Sequence, residues 1–258
     1  MGFGAIIIGD EIIRGKRSDG HFPHLAKLMA ARGLTLDWAM YSGDNRLRLI
    51  DTLRRTFAGD DVVFSFGGIG ATPDDHTRQA AAEAAGLRLE LHPEAEHEII
   101  IRVAEAGIKI TPGIMQMGEF PAGAGIIPNP YNGIPGFSLR NHYFVPGFPQ
   151  MAWPMVEWVL DTHYADRFCD RPDLEEALVV WDNNESALLP LMLEIESKYA
   201  GIKVFSLPSF GDEVVGKHIE LGVRGDPSQV GPAMNNIRAE LVRMGSNFSE
   251  QKKALVRD

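Results

Sequence analysis

The sequence predicts an α/β protein: a three-layer α/β/α domain built on a mostly parallel sheet, followed by a small α+β subdomain of ferredoxin-like pattern. Three observations carry this. Through the first half of the chain, short apolar runs alternate with amphipathic stretches of helical period, and a β-α-β-α-β-α order implies a parallel sheet covered by helices on both faces. A stretch rich in Gly and Pro, residues 111–154, then interrupts the rhythm. Beyond a boundary at residues 168–173, around Arg171-Pro172, the pattern restarts as β-α-β-β-α. The expected divisions are a first domain over residues 1–170, a subdomain over 171–245 and a loose polar tail over 246–258.

Residues 4–8 form a continuous apolar run of the kind that makes a buried parallel strand. Asp19 suits the cap of a helix running to Arg32, with Phe22, Leu25, Leu28 and Met29 on one face and Gly33 as its stop. Residues 36–41 read as a second strand, 47–56 as a helix with Leu49, Ile50 and Leu53 inward, and 61–66 as a third strand. An alanine-rich helix over 77–85 ends at Gly86. In the Gly/Pro stretch, Pro121, Pro128, Pro130, Pro135, Pro146, Pro149 and Pro154 exclude long helices before about Met151. Short strands fit near 125–127 and 142–145, and a helix fits 151–161. The carboxy-terminal pattern is strand 177–181, helix 185–199, strands 202–207 and 218–223, and helix 227–243.

The chain has 258 residues, 45% hydrophobic and 23% charged, enough to bury a core without a metal or disulfide staple. Its one cysteine, Cys169, excludes an internal disulfide and fits a reducing, cytoplasmic setting. A net charge of −10 is a poor match for nucleic acid. It also means that an anionic ligand must be held by local devices, such as backbone N–H groups or a metal. No apolar segment reaches membrane-spanning length and none reads as a secretory leader.

The loop after the third strand, Gly67-Gly68-Ile69-Gly70-Ala71-Thr72-Pro73-Asp74-Asp75, is the main candidate site. Glycines let backbone N–H groups approach a ligand, and the following helix turns its positive end toward the same space. Thr72 and Thr77 offer hydroxyls. Asp74 and Asp75 would repel a bare phosphate, which suggests a bridging divalent cation. The loop lacks the Gly-Lys-Ser/Thr ending of a P-loop and the Rossmann glycine spacing. Taken alone, it is equally well read as a turn in which Asp75 caps the helix. Ligands of open α/β sheets bind beyond the carboxyl ends of the strands. There Asp10 and Glu11 follow the first strand, Asp44 the second, and Asp74 and Asp75 the third.

A second stiff segment, residues 128–137, carries Asn129 and Asn132, whose amides both donate and accept as a base or pterin edge requires. A rigid surface turn accounts for it equally. Val145-Pro146-Gly147-Phe148-Pro149 is a third such loop. The histidines show no zinc-ligand spacing. The stripe of Trp153, Met155, Val156, Trp158 and Val159 reads as core or, if exposed, as the covered face of a homodimer.

In Ile8-Gly9-Asp10-Glu11-Ile12-Ile13, Gly15, Asp19 and residues 67–77, 128–137 and 145–149, the chain resembles the MoaB/Mog molybdopterin-binding superfamily. Within it, the resemblance is to the amino-terminal part of the CinA (competence/damage-inducible) family, over residues 5–160. The length leaves no room for the further amidohydrolase domain of longer members. The resemblance implies a MoaB/Mog-like three-layer fold and a site for a phosphorylated nucleotide or pterin. It also implies one of three roles. The first is pyrophosphatase action on ADP-ribose-like dinucleotides with Mg²⁺, Mn²⁺ or Co²⁺. The others are molybdopterin binding with adenylylation, or a non-catalytic module. Under it Gly67, Gly68, Gly70 and Thr72 hold phosphate. Asp10, Asp19, Asp74 and Asp75 share the metal, with Asp75 the preferred catalytic acid, and Pro135, Gly136, Pro146 and Gly147 shape the base pocket. The chain departs from the family at Ala71 (often Pro), His21 (often Asn), Asn132 (often Gly) and Met151 (usually Glu).

Overall fold

A computed structural model describes residues 1–169, 174–211 and 216–250. The chain divides into two compact units, Met1–Phe168 and Cys169–Asp258.

In the first unit the elements run β1 (Phe3–Ile8), α1 (Asp10–Ile13), α2 (His21–Ala30), β2 (Trp38–Ser42), α3 (Arg46–Phe57), β3 (Val62–Phe66) and α4 (Thr77–Ala85). They continue with β4 (Leu89–Leu91), α5 (Pro93–Glu105), α6 (Pro112–Gln116), β5 (Glu119–Pro121), β6 (Gly125–Ile127), β7 (Gly136–Leu139), β8 (His142–Val145) and α7 (Pro149–His163). Six strands form one sheet in the order β2-β1-β3-β8-β7-β6. The pairs β1–β2, β1–β3 and β3–β8 are parallel, and β7 is antiparallel to both its neighbours.

Side-chain alternation builds the three layers. From β1, Phe3, Ala5 and Ile7 pack with Leu25 and Met29 of α2 and Met155 and Val159 of α7. Ile6 and Ile8 pack on the opposite face with Leu49, Ile50 and Leu53 of α3 and Ala80 and Ala81 of α4. This is the expected three-layer α/β/α architecture, and its strand order places the chain's reversal between β1 and β3.

Three readings need correction. Met155, Val156 and Val159 are buried in the core, so the α7 stripe no longer argues for a covered dimer face. Residues 136–139 are not a loop but strand β7, and β4, α5, α6 and β5 fill a stretch with no expected elements. Phe248–Glu250 is not a loose tail: it is a strand, described below. Residues 251–258 of the predicted tail lie outside the described residues.

His142 on β8 is buried, and its Nε2 lies 2.8 Å from Thr56 Oγ1. That hydroxyl donates to backbone carbonyls of α3, so Nε2 carries the proton and Nδ1 is left buried without a partner. Burial, with Arg140 nearby, lowers its pKa from 6.5 to about 4. As pH falls below 6.5, the unfolded chain takes up a proton that the folded ring refuses until about pH 4. Stability therefore declines across that interval, by roughly 3 kcal/mol in all. Urea midpoints at pH 7 and pH 4.5 should show this decline in the wild type and a flatter response in His142→Phe. Equal slopes would refute the assignment.

The second unit contains β9 (Leu174–Trp181), α8 (Glu185–Lys198), β10 (Lys203–Ser209), β11 (His218–Gly225), α9 (Pro227–Arg243) and β12 (Phe248–Glu250). Its sheet order is β10-β11-β9-β12, antiparallel throughout. The expected β-α-β-β-α pattern gains a last strand and so becomes a complete ferredoxin-like β-α-β-β-α-β unit. Leu178, Val180, Leu221 and Val223 of the sheet pack under Leu188 and Ile195 of α8 and Met234, Ile237 and Leu241 of α9. Arg238 ties β12 in, bridging Glu250 at 2.8 Å and Glu176 of β9 at 2.6 Å.

Candidate functional site

A cavity of about 380 Å³ lies at the carboxyl ends of the parallel strands. Each wall is the segment that leaves a strand: Gly9 and Glu11 after β1, Asp44 after β2, residues 67–75 after β3, and residues 146–148 after β8. The glycine loop thus sits at the switch between β1 and β3, where open α/β sheets place their ligands.

The loop's shape follows from close approach. Gly67 and Gly68 have φ of +100° and +70°. A Cβ on Gly67 would lie 2.6 Å from Ile8 O, and one on Gly68 would strike Thr77 Oγ1. Gly67 N–H donates to Val145 O of β8 at 2.9 Å. The buried Thr77 returns its hydroxyl to Gly67 O at 3.0 Å and its N–H to Gly68 O at 2.9 Å. The N–H groups of Gly68, Ile69, Gly70 and Ala71 then have no acceptor among the described residues. A run of unsatisfied donors on a tight turn is an anion-binding concavity.

Asp75 does not cap the next helix. α4 starts at Thr77 with no side-chain cap bond. Asp75 Oδ2 instead accepts from Thr72 N at 2.8 Å and Thr72 Oγ1 at 2.6 Å, and the same hydroxyl faces Asp74 Oδ1. That hydroxyl has one proton for two carboxylates, and its bond holds Asp74 below the usual carboxylate range. Beneath the loop, the fully buried Arg78 donates to Gly70 O at 2.6 Å and to Gln116 O at the end of α6. It ties the loop to the end of α6.

The acidic residues do not all gather here. Asp10 and Asp44 exchange backbone hydrogen bonds, Asp10 N to Asp44 Oδ2 at 2.9 Å and Asp44 N to Asp10 Oδ1 at 3.3 Å. Asp10 also binds Arg14 at 2.6 Å. Burial, and then the neighbouring charges of Asp10, Glu11 and Asp74, push the Asp44 carboxyl up. Asp19 is elsewhere in use: it accepts from His21 N and Phe22 N at the start of α2, and from Tyr41 Oη at 2.8 Å. Among the described residues, no three His, Cys, Asp or Glu side chains are grouped as an all-protein metal centre requires.

Of the remaining expected residues, Pro135, Pro146, Gly147 and Asn129 line the cavity. Asn129 is buried, and its amide is used within its own loop, donating to Asn132 Oδ1 and Ile134 O and accepting from Tyr131 N. The amide left facing the cavity is Asn132 Nδ2, whose contact is Met151 Sδ at 3.7 Å. Gly136 lies inside β7, where a Cβ would strike Phe144 O; it serves sheet packing. Buried His21 holds Gly147 O through Nε2 at 3.1 Å and stacks on Phe66.

Sequence reasoning missed Arg17 and Arg78. Among the described residues, Arg17 is the only basic side chain lining the cavity, and its guanidinium has no partner. Its proximity to the strand ends was readable, but its freedom was not. Arg78 carries no signal in the sequence beyond its place in the alanine-rich helix over 77–85.

A family model described as "Probable molybdopterin binding domain" matches residues 4–165. A protein of Caldivirga maquilingensis is 28% identical over 228 residues, covering 86% of this chain and 87% of that one. A CinA-like protein of Geotalea uraniireducens is 27% identical over 225 residues, 85% of this chain and 54% of its own. The chain therefore spans about half the length of that relative. Among solved structures, a CinA of Thermoplasma acidophilum, described as of unknown function, aligns with a TM-score of 0.56 at 22% identity, over 62% of this chain and 96% of that one.

Proposed function

The chain belongs to the molybdopterin-binding domain family and is of the CinA type, and on that premise we propose that it is a divalent-metal-dependent hydrolase of the phosphoanhydride in ADP-ribose or a similar dinucleotide. The observation that carries this reading is the run of unpaired N–H groups from Gly68 to Ala71, facing a cavity that also holds Arg17 and the carboxylates of Asp74 and Asp75. Donors of that kind take phosphate, and carboxylates beside them take a cation or a water.

The donor chemistry fits a hard divalent cation held by one or two carboxylates and completed by ligand phosphates, the usual manner of Mg²⁺. Asp74 and Asp75 are the residues that would hold it, and Asp10 is less available because Arg14 neutralises it. When bound, such a cation offsets charge on the phosphates. The chain's own residues do the rest. The loop N–H groups fix one phosphate, Arg17 neutralises a second, and Asp75 orients a water from a carboxylate already held by Thr72. Asn132 supplies a donor to the base or pterin edge.

Purified protein incubated with ADP-ribose and Mg²⁺, Mn²⁺ or Co²⁺ should release AMP. Ligand-induced stabilisation without AMP would make the chain a binding module, the role toward which Met151, in place of a carboxylate, points. Tight pterin binding with AMP transfer from ATP would instead make it an adenylylating protein of molybdenum cofactor synthesis.

A further inference from the structure

A second and larger cavity, about 930 Å³, is bounded by the start of α5, residues 126–135 and the outer side of α7. Its volume is at the upper end of the range of small-molecule sites, about 300–1,000 Å³. The glycine loop and its unpaired N–H groups contribute nothing to it.

The lining accepts hydrogen bonds and barely donates them. Five of its residues are proline, at 93, 128, 130, 135 and 154. Prolines have no N–H, so with Ile126 and Trp158 they make walls that are apolar and poor in donors. Asn129 also lines the cavity, but its amide donates within its own loop. The guanidinium of Arg102 is held by Glu105 at 2.9 Å, and its stem lies against Gly133.

Glu94 and Glu98 face the cavity from α5, one helical turn apart. Their carboxylates make no hydrogen bond or ion pair among the described residues. A helix start favours an acid in its first turn, which accounts for Glu94. A second carboxylate four residues on repels the first, and no cation of the chain offsets it. His97 lies between them on the same helix and completes the polar lining. Across from α5, Trp158 on α7 is 36% exposed. Its one ring contact among the described residues is T-shaped, with His163 at 5.5 Å, and no Lys or Arg stands over the indole.

We propose that this cavity binds a small organic cation, an alkylguanidinium or alkylammonium. Its charged head donates to Glu94 and Glu98 and lies against the Trp158 indole, and its alkyl body packs on the prolines. Such a head supplies donors and positive charge and no acceptor, the complement of a wall that accepts and does not donate. It offsets the repulsion between the two glutamates, and the indole face attracts it further. One indole is not the cage of rings that holds a quaternary ammonium, so the head carries N–H groups. The inference is independent of the phosphate reading of the glycine-loop cavity.

Calorimetry at pH 8 and low salt, with butylguanidinium and its neutral isostere butylurea, separates charge from shape. The wild type should bind the guanidinium at least about tenfold tighter than the urea. Glu94→Gln and Glu98→Gln should each remove part of that preference, and the double variant all of it. Glu194→Gln, at an exposed acid of α8, should leave it unchanged. Trp158→Ala should weaken butylguanidinium about fivefold, and Trp158→Phe by less, because a phenyl face keeps part of the attraction. Equal affinity for the two probes in the wild type overturns the site, as does a preference that survives in the double variant. A loss in Glu194→Gln as large as in Glu98→Gln also overturns it, since a chain of net charge −10 would then be attracting the cation diffusely. Unchanged affinity in both Trp158 variants places the cation elsewhere. Capped Gly-Arg-Gly presents the same head on a peptide backbone and should bind no tighter than butylguanidinium. Binding about tenfold tighter overturns the small-molecule assignment in favour of a protein partner.

Discussion

Asp75→Asn is expected to keep ligand affinity and lose turnover, by about a hundredfold or more in kcat, the scale of a general acid–base group. The separation comes from the way Asp75 is held. Its Oδ2 accepts both the N–H and the hydroxyl of Thr72, and an asparagine oxygen placed there accepts the same two bonds. The loop therefore keeps its shape, and the only change is one charge. Without added divalent cation, removing a carboxylate beside bound phosphates weakens nothing electrostatically, so affinity for a non-hydrolysable analogue measured in metal-free buffer should hold or tighten. Asp75→Ala is the contrasting variant: it releases Thr72, so affinity and turnover fall together. Asp74→Asn is milder for the loop, because Asp74 is tied only through the shared Thr72 hydroxyl. The measurement is AMP release against analogue binding in each variant. Turnover by Asp75→Asn within threefold of wild type would make the residue a scaffold and move the chemistry elsewhere.

How far these assignments were legible beforehand differs by element. β1, β3 and α3 were readable because burial on both sheet faces, or on one helix face, writes itself directly into period and composition: all of β1 is buried, and Leu49, Ile50 and Leu53 are buried on α3. The glycine loop was legible as a turn. Its role as a donor cradle was not, because that depends on which loop groups are already paired, and the partners are Val145 O of β8, which accepts from Gly67 N–H, and Thr77 of α4, which donates to Gly67 O and Gly68 O. Gly136 shows the same limit from the other side. A glycine beside prolines reads as a loop, yet Phe144 O on the neighbouring strand is what excludes a Cβ there. α5 carried its own signals, Pro93 at its first turn with Glu94 and Glu96, and inward Ala95, Ile99 and Val103, but these sit next to a proline-dominated stretch that draws the eye. β12 has too few residues to show a period; its place is set by pairing with β9 and by Arg238 on α9. The acidic cluster was half right for a physical reason. Strand ends do bring Asp44, Asp74 and Asp75 to one cavity, but Asp19 is consumed by its own helix start and by Tyr41.

Gly68→Ala should abolish ligand binding, by about a hundredfold or more, while leaving the unit folded. Two effects add. At φ +70° any side chain pays the left-handed penalty, ~1–2 kcal/mol. The new Cβ also lands on the Thr77 hydroxyl, with Thr77 Cβ only 3.2 Å away. Thr77 has no slack to give. It is buried, it opens α4, and it holds Gly67 O and Gly68 O through its hydroxyl and N–H. Relief must therefore come from the loop, which has to swing off α4. That swing turns the N–H groups of Gly68 to Ala71 away from one focus and disturbs the contact of Gly70 O with Arg78. Gly123→Ala isolates the first effect: its φ is +79°, but nothing stands within 4 Å of the added carbon. Gly123→Ala should lose only the left-handed penalty, less stability than Gly68→Ala, and bind pyrophosphate like the wild type. Gly68→Ala binding pyrophosphate within threefold of wild type would mean that the loop's donors are not the phosphate site, whatever Asp75 proves to do.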